Sequence, residues 1–155
     1  CRGAGFSLDP DHPNAYAPGK RPFHTIIPAF VMRHGEPVMS FGVMGADMQP
    51  QGQVQVLINM IDFGMDIQAA GDAGRVRHDG LNHPNLSADA DAGIVWHEAG
   101  CDAGLIETLR ARGHDVRPAT HPVQHFMGGY QCIRRDVSGW LGASERRFDG
   151  CAAGI

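Results

Sequence analysis

The chain has 155 residues, of which 43% are hydrophobic and 19% charged, the length and apolar content of about one compact domain. Its formal net charge of -4 gives no electrostatic reason to bind nucleic acid, because such proteins usually carry a concentrated basic face. The pairs Arg134-Arg135 and Arg146-Arg147 are therefore predicted to be solvated. The longest largely apolar run, Ile26–Met32, falls far short of the ~20 residues of a membrane-spanning helix, so we expect no membrane span.

The first part of the chain predicts an arm followed by a β-hairpin. Residues 1–22 are rich in proline and turn-forming residues and predict an ordered loop or extended arm ahead of sheet and helix layers over 23–155. Two apolar runs, Thr25–Met32 and Pro37–Val43, are joined by Arg33–Glu36 with a glycine in the turn, which predicts a hairpin. Because both runs are apolar at nearly every position, we expect them to be covered on both faces.

The middle of the chain changes to a helical spacing of apolar residues. This spacing predicts a helix over Pro50–Phe63, which Asp47 can cap at its start and Gly64 can end. The side chains expected to face inward are Val54, Leu57, Ile58 and Ile61.

The rest of the chain predicts one more helix and a second strand pair. The helix fits Asp102–Arg112, with Gly113 as its terminator. No structure is assigned to Gly71–Gly93, which is polar and turn-rich. Two strands are predicted at Tyr130–Arg135 and Trp140–Ser144. The apolar side chains expected to face inward from the helix are Leu105, Ile106 and Leu109.

The turn between the first hairpin and the first helix is a candidate site. A helix start leaves unpaired N–H groups and a positive dipole end, so the amides of Gly45 and Ala46 can hold an anion or a developing oxyanion. A plain strand-to-helix turn is the alternative interpretation. His24, at the start of a predicted strand, either binds a substrate carboxylate or satisfies a loop carbonyl.

Other reactive residues give weaker indications. His121 and His125 have a metal-binding spacing, but Pro122 disfavours a helical pairing of the two rings, so we expect no metal site. No phosphate loop or dinucleotide fingerprint is present, so no cofactor is expected. Catalysis by Cys1 is disfavoured because Arg2–Gly5 reads as a loop, not a strand. Free thiols are predicted for all four cysteines, Cys1, Cys101, Cys132 and Cys151.

Five short motifs, in this order, resemble those of the small subunit of γ-glutamyltransferases and their acylase-like relatives. Gly71–Arg75 stands where that family has an Ala-Pro-Arg stretch, and Gly113–Val116 matches its Gly-His-x-Val helix exit. Together the matches span nearly the whole chain. The five runs are Pro18–Pro22, Met44–Asp47, Gly71–Arg75, Gly113–Val116 and Gly142–Arg147.

The resemblance implies an αββα sandwich of the N-terminal-nucleophile hydrolase type, of which this chain lacks the nucleophile strand. It also implies a precursor that cleaves itself ahead of a threonine, whose hydroxyl attacks an amide while its α-amine serves as base. That threonine is expected upstream of Cys1. The partners implied are a large subunit, or the N-terminal part of the same precursor, and a small-molecule amide substrate.

The resemblance also assigns roles to individual positions. Gly45 and Ala46 correspond to the paired glycines that supply the oxyanion-hole amides. Ala46 keeps the N–H and adds a methyl group, so the function should survive provided that the backbone does not need a positive φ. His24 and Thr25 stand where two serines hold the substrate α-carboxylate. Gly5 replaces the aspartate that pairs with the glutamyl ammonium. Nearby Arg2 either favours an acidic or acylated group or is an exposed loop arginine.

Two functions stay open on the sequence alone. The first is part of an amidohydrolase or acyltransferase whose acyl group need not be glutamyl. The second is a noncatalytic module that only completes the fold of a larger partner and exposes a broad apolar face when isolated. The sequence does not fix the cellular compartment.

Overall fold

The computed structural model describes residues 2–80, 93–120 and 127–154, which form two sheets and three α-helices. One sheet has four antiparallel strands in the order β1-β2-β6-β7, and the other has three strands in the order β3-β4-β5. None of the helices in these ranges combines the length and the apolar character that crossing a bilayer requires. The strands are β1 Ala29–Arg33, β2 Glu36–Met44, β3 Val76–Asp79, β4 Ile94–His97, β5 Asp115–Pro118, β6 Gly129–Asp136 and β7 Gly139–Ser144, and the helices are α1 Met48–Ile61, α2 Ile67–Asp72 and α3 Ala103–Ala111.

Both predicted hairpins are present in the four-stranded sheet. β1 pairs with β2, and β6 pairs with β7, in antiparallel register. β1 begins at Ala29 and not at Thr25, because Pro28 has no N–H to donate to a ladder. The segment before it, residues 23–28, lies outside the sheet.

The expectation that the first hairpin is covered on both faces is wrong for the described chain. Met39, Phe41 and Val43 of β2 are buried against the helices. On the opposite face of the sheet, Phe30 of β1 is 65% exposed and Ile133 of β6 is 54% exposed. The reason is that α1 and α2 contact only one face of the sheet. The described residues leave much of the other face open, although Ala152 lies against Gly142 of β7 on that side.

Helix α1 lies where the sequence predicts it but presents a different face. A Cβ at Gly52 would lie 2.6 Å from Val43 Cγ1, so this glycine lets the helix approach β2 closely, and Val56 packs beside it. Of the four residues expected to face inward, only Leu57 packs against the core. Three are substantially exposed: Val54 at 54%, Ile58 at 40% and Ile61 at 71%.

The ends of α1 agree only in part with the prediction. Asp47 occupies the N-cap position but adopts helical dihedrals and makes no side-chain capping hydrogen bond, so the predicted cap is wrong. The first-turn amides are instead satisfied by carbonyls of the preceding turn, because Met48 N donates to Gly45 O across 3.0 Å. Gly64, two residues beyond the C-cap Asp62, has a φ of 67°, as expected for a helix terminator.

Helix α3 connects two parallel strands of the smaller sheet. It joins β4 to β5, which pair in parallel, as a crossover helix usually does. Asp102, predicted as its first residue, is its N-cap and accepts from Leu105 N at 2.7 Å. Gly113 follows the helix with a φ of 91°, as predicted for its terminator. Leu105 is 49% exposed, so its predicted inward orientation is wrong, whereas Ile106 and Leu109 are half-buried.

Part of the segment Gly71–Gly93, for which the sequence predicts no structure, forms regular secondary structure. It contains the end of α2 and all of β3. The strands of the smaller sheet have four residues each, which is too short for an alternating pattern to stand out. Residues 81–92 fall outside the described ranges.

A buried network of two arginines and two glutamates ties the two sheets together. Arg75 Nη2 bonds Glu145 Oε2 at 2.8 Å, and Arg147 Nη1 bonds Glu145 Oε1 at 2.7 Å. Arg147 also bonds Glu98 through Nε at 2.6 Å. All four residues are less than 9% exposed, so the prediction that Arg147 is solvated is wrong. Arg146 is exposed, as expected.

Backbone carbonyls satisfy further donors of the network. Arg75 donates to Met127 O at 2.9 Å, to Gly128 O at 2.8 Å and to Gly71 O at 2.9 Å. Glu145 accepts from Tyr130 N at 2.8 Å. The network therefore fixes the start of β6 relative to the end of α2 and the end of β7.

The electrostatics of this network favour the charged glutamate. Desolvation by burial alone would raise the pKa of the Glu145 carboxyl, but hydrogen bonds from Arg147 and the charge of Arg75 outweigh it. The pKa of Glu145 therefore lies below its ordinary value. A carboxylate held in this way stays ionised, which the two arginines require as their counter-charge.

Removing one partner of the network should destabilise the fold strongly. In the full-length protein, Arg147→Met leaves Glu98 and Glu145 buried beside one fewer positive charge, and we expect a loss of about 3–5 kcal/mol. Its neighbour provides the control, since Arg146 is 55% exposed and Arg146→Ala should change the stability by at most about 0.5 kcal/mol. Urea unfolding measures both, and equal midpoints for the two variants would contradict the structural role of the network.

Candidate functional site

The turn between β2 and α1 has an unusual backbone conformation. Gly45 has a φ of 127° and Ala46 a φ of 51°. The second value lies in the left-handed region, which costs a residue with a Cβ about 1–2 kcal/mol. Alanine was expected to be tolerated at this position if the backbone needed no positive φ. Because Ala46 does have a positive φ, this condition is not met.

The amide groups of this turn are not donors in the backbone hydrogen bonds that start the helix. The carbonyls of Gly45 and Ala46 accept from Met48 N and Gln49 N, both at 3.0 Å. Neither the Gly45 nor the Ala46 amide donates to an acceptor among the described residues. Ala46 is exposed and Gly45 half-buried, so both N–H groups are available at the N-terminal end of a 14-residue helix, where the dipole favours negative charge.

Gly128, the residue immediately before β6, packs against the turn. It has a φ of 77°, and any Cβ there would overlap the carbonyl oxygen of Met44. A Cβ at Gly45 would lie only 3.0 Å from Gly128 Cα, so the two backbones are in close contact. Gly128 O also accepts a hydrogen bond from Arg75. Gly128 therefore contacts both the buried network and the turn.

The second candidate segment, His24 and Thr25, is brought to the same end of α1. His24 is exposed and Thr25 is half-buried. The carbonyl oxygen of Thr25 accepts a hydrogen bond from Gln49 Nε2, and Gln49 N donates to Ala46 O. One residue therefore contacts both the segment of Thr25 and the turn of Ala46.

The other two candidate residues, Arg2 and Gly5, lie at the ends of a short 3-10 turn. Gly5 O accepts from Asn14 Nδ2 at 2.6 Å, which holds this turn to its own arm. A Cβ at Gly5 would meet nothing within 4 Å. Among the described residues, no hydrogen bond joins Gly5 to Gly45 or Ala46.

Sequence reasoning missed the residues that hold the site in place. The contacts of Arg75, Gly128 and Gln49 involve backbone carbonyl or amide groups. Contacts of this kind produce no periodic pattern of residue types in the sequence. For Gln49 a signal did exist, because glutamines recur at alternate positions from 49 to 55.

The described residues were compared with the requirements of a metal site and of a disulfide. No group of three or more histidine, cysteine, aspartate or glutamate side chains lies close enough there to hold a metal ion, and His121 and His125 fall outside the described ranges. Cys101, Cys132 and Cys151 are free thiols, as predicted. Cys1 is outside the described ranges.

Comparison with known proteins identifies relatives of the whole chain. A family model described as gamma-glutamyltranspeptidase matches residues 2–155. The glutathione hydrolase-like YwrD proenzyme of Bacillus subtilis is 32% identical over 99% of this chain and 28% of its own length. The oxamate amidohydrolase proenzyme of Klebsiella pneumoniae is 35% identical over the same shares of both chains.

Solved structures agree with this result. A cephalosporin acylase from Bacillus halodurans has a TM-score of 0.80 and 41% identity, covering 98% of this chain and 26% of that one. A gamma-glutamyltranspeptidase from Pseudomonas nitroreducens, complexed with L-DON, has a TM-score of 0.71 and 26% identity, covering 92% of this chain and 68% of that one.

These matches confirm both the resemblance and the predicted fold class. The chain spans only about 28% of the length of the curated relatives. The matched family model nevertheless covers almost all of its residues. The chain therefore belongs to the gamma-glutamyltranspeptidase family and has the α+β fold of the N-terminal-nucleophile hydrolases.

Proposed function

We propose that this chain is the C-terminal portion of the small subunit of an amidohydrolase or acyltransferase. In this proposal the whole protein transfers an acyl group from an amide to water or to an amine, through an acyl-enzyme on a threonine upstream of Cys1. The observation that carries the proposal is the turn at Gly45 and Ala46, which presents two amides without acceptors among the described residues.

The chemistry needs only these amides and the proposed threonine. The threonine hydroxyl attacks the amide carbonyl, and the α-amine of the same residue takes the hydroxyl proton. The carbonyl oxygen becomes an oxyanion, to which the N–H groups of Gly45 and Ala46 donate. The proton passes to the leaving amine, and water or a second amine then releases the acyl group from the threonine.

His24 and Thr25 are proposed to bind the acyl part of the substrate. Both can donate a hydrogen bond to a carboxylate. The contact of Gln49 with Thr25 O and Ala46 O supports a shared pocket, since it holds the two segments at one helix end.

The acyl group need not be glutamyl. Gly5 supplies no carboxylate to pair with an α-ammonium group, and Arg2 in the same turn favours an acidic or acylated group. The relatives themselves are named for different substrates, which include glutathione, oxamate and a cephalosporin.

The proposed partner is the large subunit, or the N-terminal part of the same precursor. Two apolar surfaces support this. The open sheet face exposes Phe30, Ile133 and Trp140, and the outer side of α1 exposes Val54 and Ile61. Several exposed large apolar side chains on one face are typical of an interaction site. The same surfaces favour the second candidate function, a chain that by itself is noncatalytic and completes the fold of a larger partner.

Self-cleavage of the full-length protein is the direct test. Mass spectrometry of the purified protein should find a new N-terminal threonine upstream of Cys1, and replacing that threonine by alanine should abolish both cleavage and amide hydrolysis. An uncleaved precursor with full activity would refute the proposed function. Hydrolysis by the isolated chain of residues 1–155 would refute the noncatalytic alternative.

Substitutions of Ala46 test the oxyanion turn. Ala46→Gly keeps the N–H and relieves roughly 1 kcal/mol of backbone strain, so kcat for a p-nitroanilide donor should be retained or raised. Ala46→Val places a β-branched residue at a positive φ, which such residues avoid. Displacement of the amide should then lower kcat by ~10-fold to 10²-fold, the larger factor being the lower end of the range for a lost oxyanion donor. An unchanged kcat in Ala46→Val would remove Ala46 from the mechanism.

Gly5→Asp tests whether the missing carboxylate sets the acyl specificity. The position has room for a side chain, so the variant should fold. We expect kcat/KM for γ-glutamyl-p-nitroanilide to rise by about tenfold relative to glutaryl-p-nitroanilide, which lacks the α-ammonium group. The neutral Gly5→Asn is the matched control, and the same ratio in both variants would show that Gly5 does not face the ammonium group.

A further inference from the structure

Four glutamines at alternate positions of α1 form two pairs with different tasks. Side chains four residues apart lie on the same side of a helix, so Gln51 pairs with Gln55 and Gln49 with Gln53. Gln55 donates to Val76 O and accepts from Val76 N, both at 2.8 Å. Gln51 contacts the backbone of His78 in the same way, at 3.1 and 2.7 Å. This first pair binds the edge of β3.

The second pair binds the segment just before β1. Gln49 Nε2 donates to Thr25 O, and Ile27 N donates to Gln49 Oε1 at 3.4 Å. Gln53 Nε2 donates to Ile27 O at 2.6 Å. Residues 25–27 lie outside the sheet. The carboxamides of Gln49 and Gln53 therefore make the backbone hydrogen bonds that a neighbouring strand would otherwise make.

Gln49 has a second contact that Gln53 does not have. Its amide N–H donates to Ala46 O at 3.0 Å, within the turn that presents the candidate oxyanion amides. A single residue therefore joins Thr25, through its side chain, to Ala46, through its backbone. Its side chain is half-buried, which limits the alternative rotamers that it can adopt.

We propose that Gln49, supported by Gln53, is a positioning residue that sets the separation between the acyl-binding segment and the oxyanion turn. This inference rests on the proposed function. A substrate with a carboxylate contacts both Thr25 and the turn, whereas one without it needs only the turn. Loss of Gln49 should therefore impair donors with a carboxylate selectively, because misplacement by about 1 Å of a positioned group is costly in rate.

The test uses two chromogenic amides and two matched variants of the full-length protein. Glutaryl-p-nitroanilide carries a terminal carboxylate, and pentanoyl-p-nitroanilide has an acyl chain of the same length without one. Gln49→Met and Gln55→Met each remove two side-chain hydrogen bonds between α1 and another segment, and Gln55→Met also removes one within α1, to Gln51 O. Only Gln49→Met touches the segment of Thr25. Thermal unfolding should show a similar loss of stability in both.

For Gln49→Met we expect the ratio of kcat/KM for the glutaryl donor to that for the pentanoyl donor to fall by about tenfold, mainly through KM. For Gln55→Met the ratio should stay that of the unmodified protein. Equal ratios in the two variants would overturn the inference. Should Gln49→Met fail to fold, Gln53→Met, which loses only the bond to Ile27 O, should lower the ratio by a smaller factor, and an unchanged ratio would again overturn it.

The unmodified protein separates this inference from the function on which it rests. If it hydrolyses neither amide nor any other anilide donor, the proposed function fails. If it hydrolyses both donors with equal kcat/KM, the amidohydrolase stands, but the assignment of a carboxylate to Thr25 fails and the role of Gln49 fails with it.

Discussion

The buried charges of Arg75, Glu98, Glu145 and Arg147 are the constraint on which the rest of the structure depends. A buried ion pair adds little net stability compared with apolar packing, but removal of one partner strands a charge away from water. The four residues come from widely separated parts of the chain, since Arg75 and Glu145 are 70 positions apart. Their hydrogen bonds form together only in one arrangement of the strands and helices, so the network selects that arrangement among alternatives.

The same constraint extends to the surface. Arg75 holds Gly128 O, Gly128 packs against the turn of Gly45, and Ala46 keeps a left-handed conformation that alanine disfavours. Strained residues persist only where the surroundings over-determine them, and they are commonest at functional sites. The buried network thus stabilises the left-handed conformation of Ala46, in the turn whose amides are proposed to bind the oxyanion.

Local sequence signals predicted the two hairpins, α1 and α3, because each follows from spacing and turn residues within about 15 positions. They did not predict which face of α1 is buried, since Gly52 determines this through its contact with Val43. Nor did they predict the burial of Arg147, whose partner Glu98 is 49 positions away. At the site, Gly45 and Ala46 were predicted from the turn and the resemblance, but the positive φ of Ala46 became visible only in three dimensions.

The supports closest to the turn are glutamines and not charged residues. A carboxamide donates and accepts hydrogen bonds without adding a net charge, so Gln49 adds no second negative charge to that of Asp47 at the N-terminus of α1. A glutamate there would fill the same space but repel both an incoming carboxylate and a forming oxyanion. A carboxamide also does not titrate in water, so a change of pH leaves intact the hydrogen bonds through which Gln49 spaces Thr25 from Ala46.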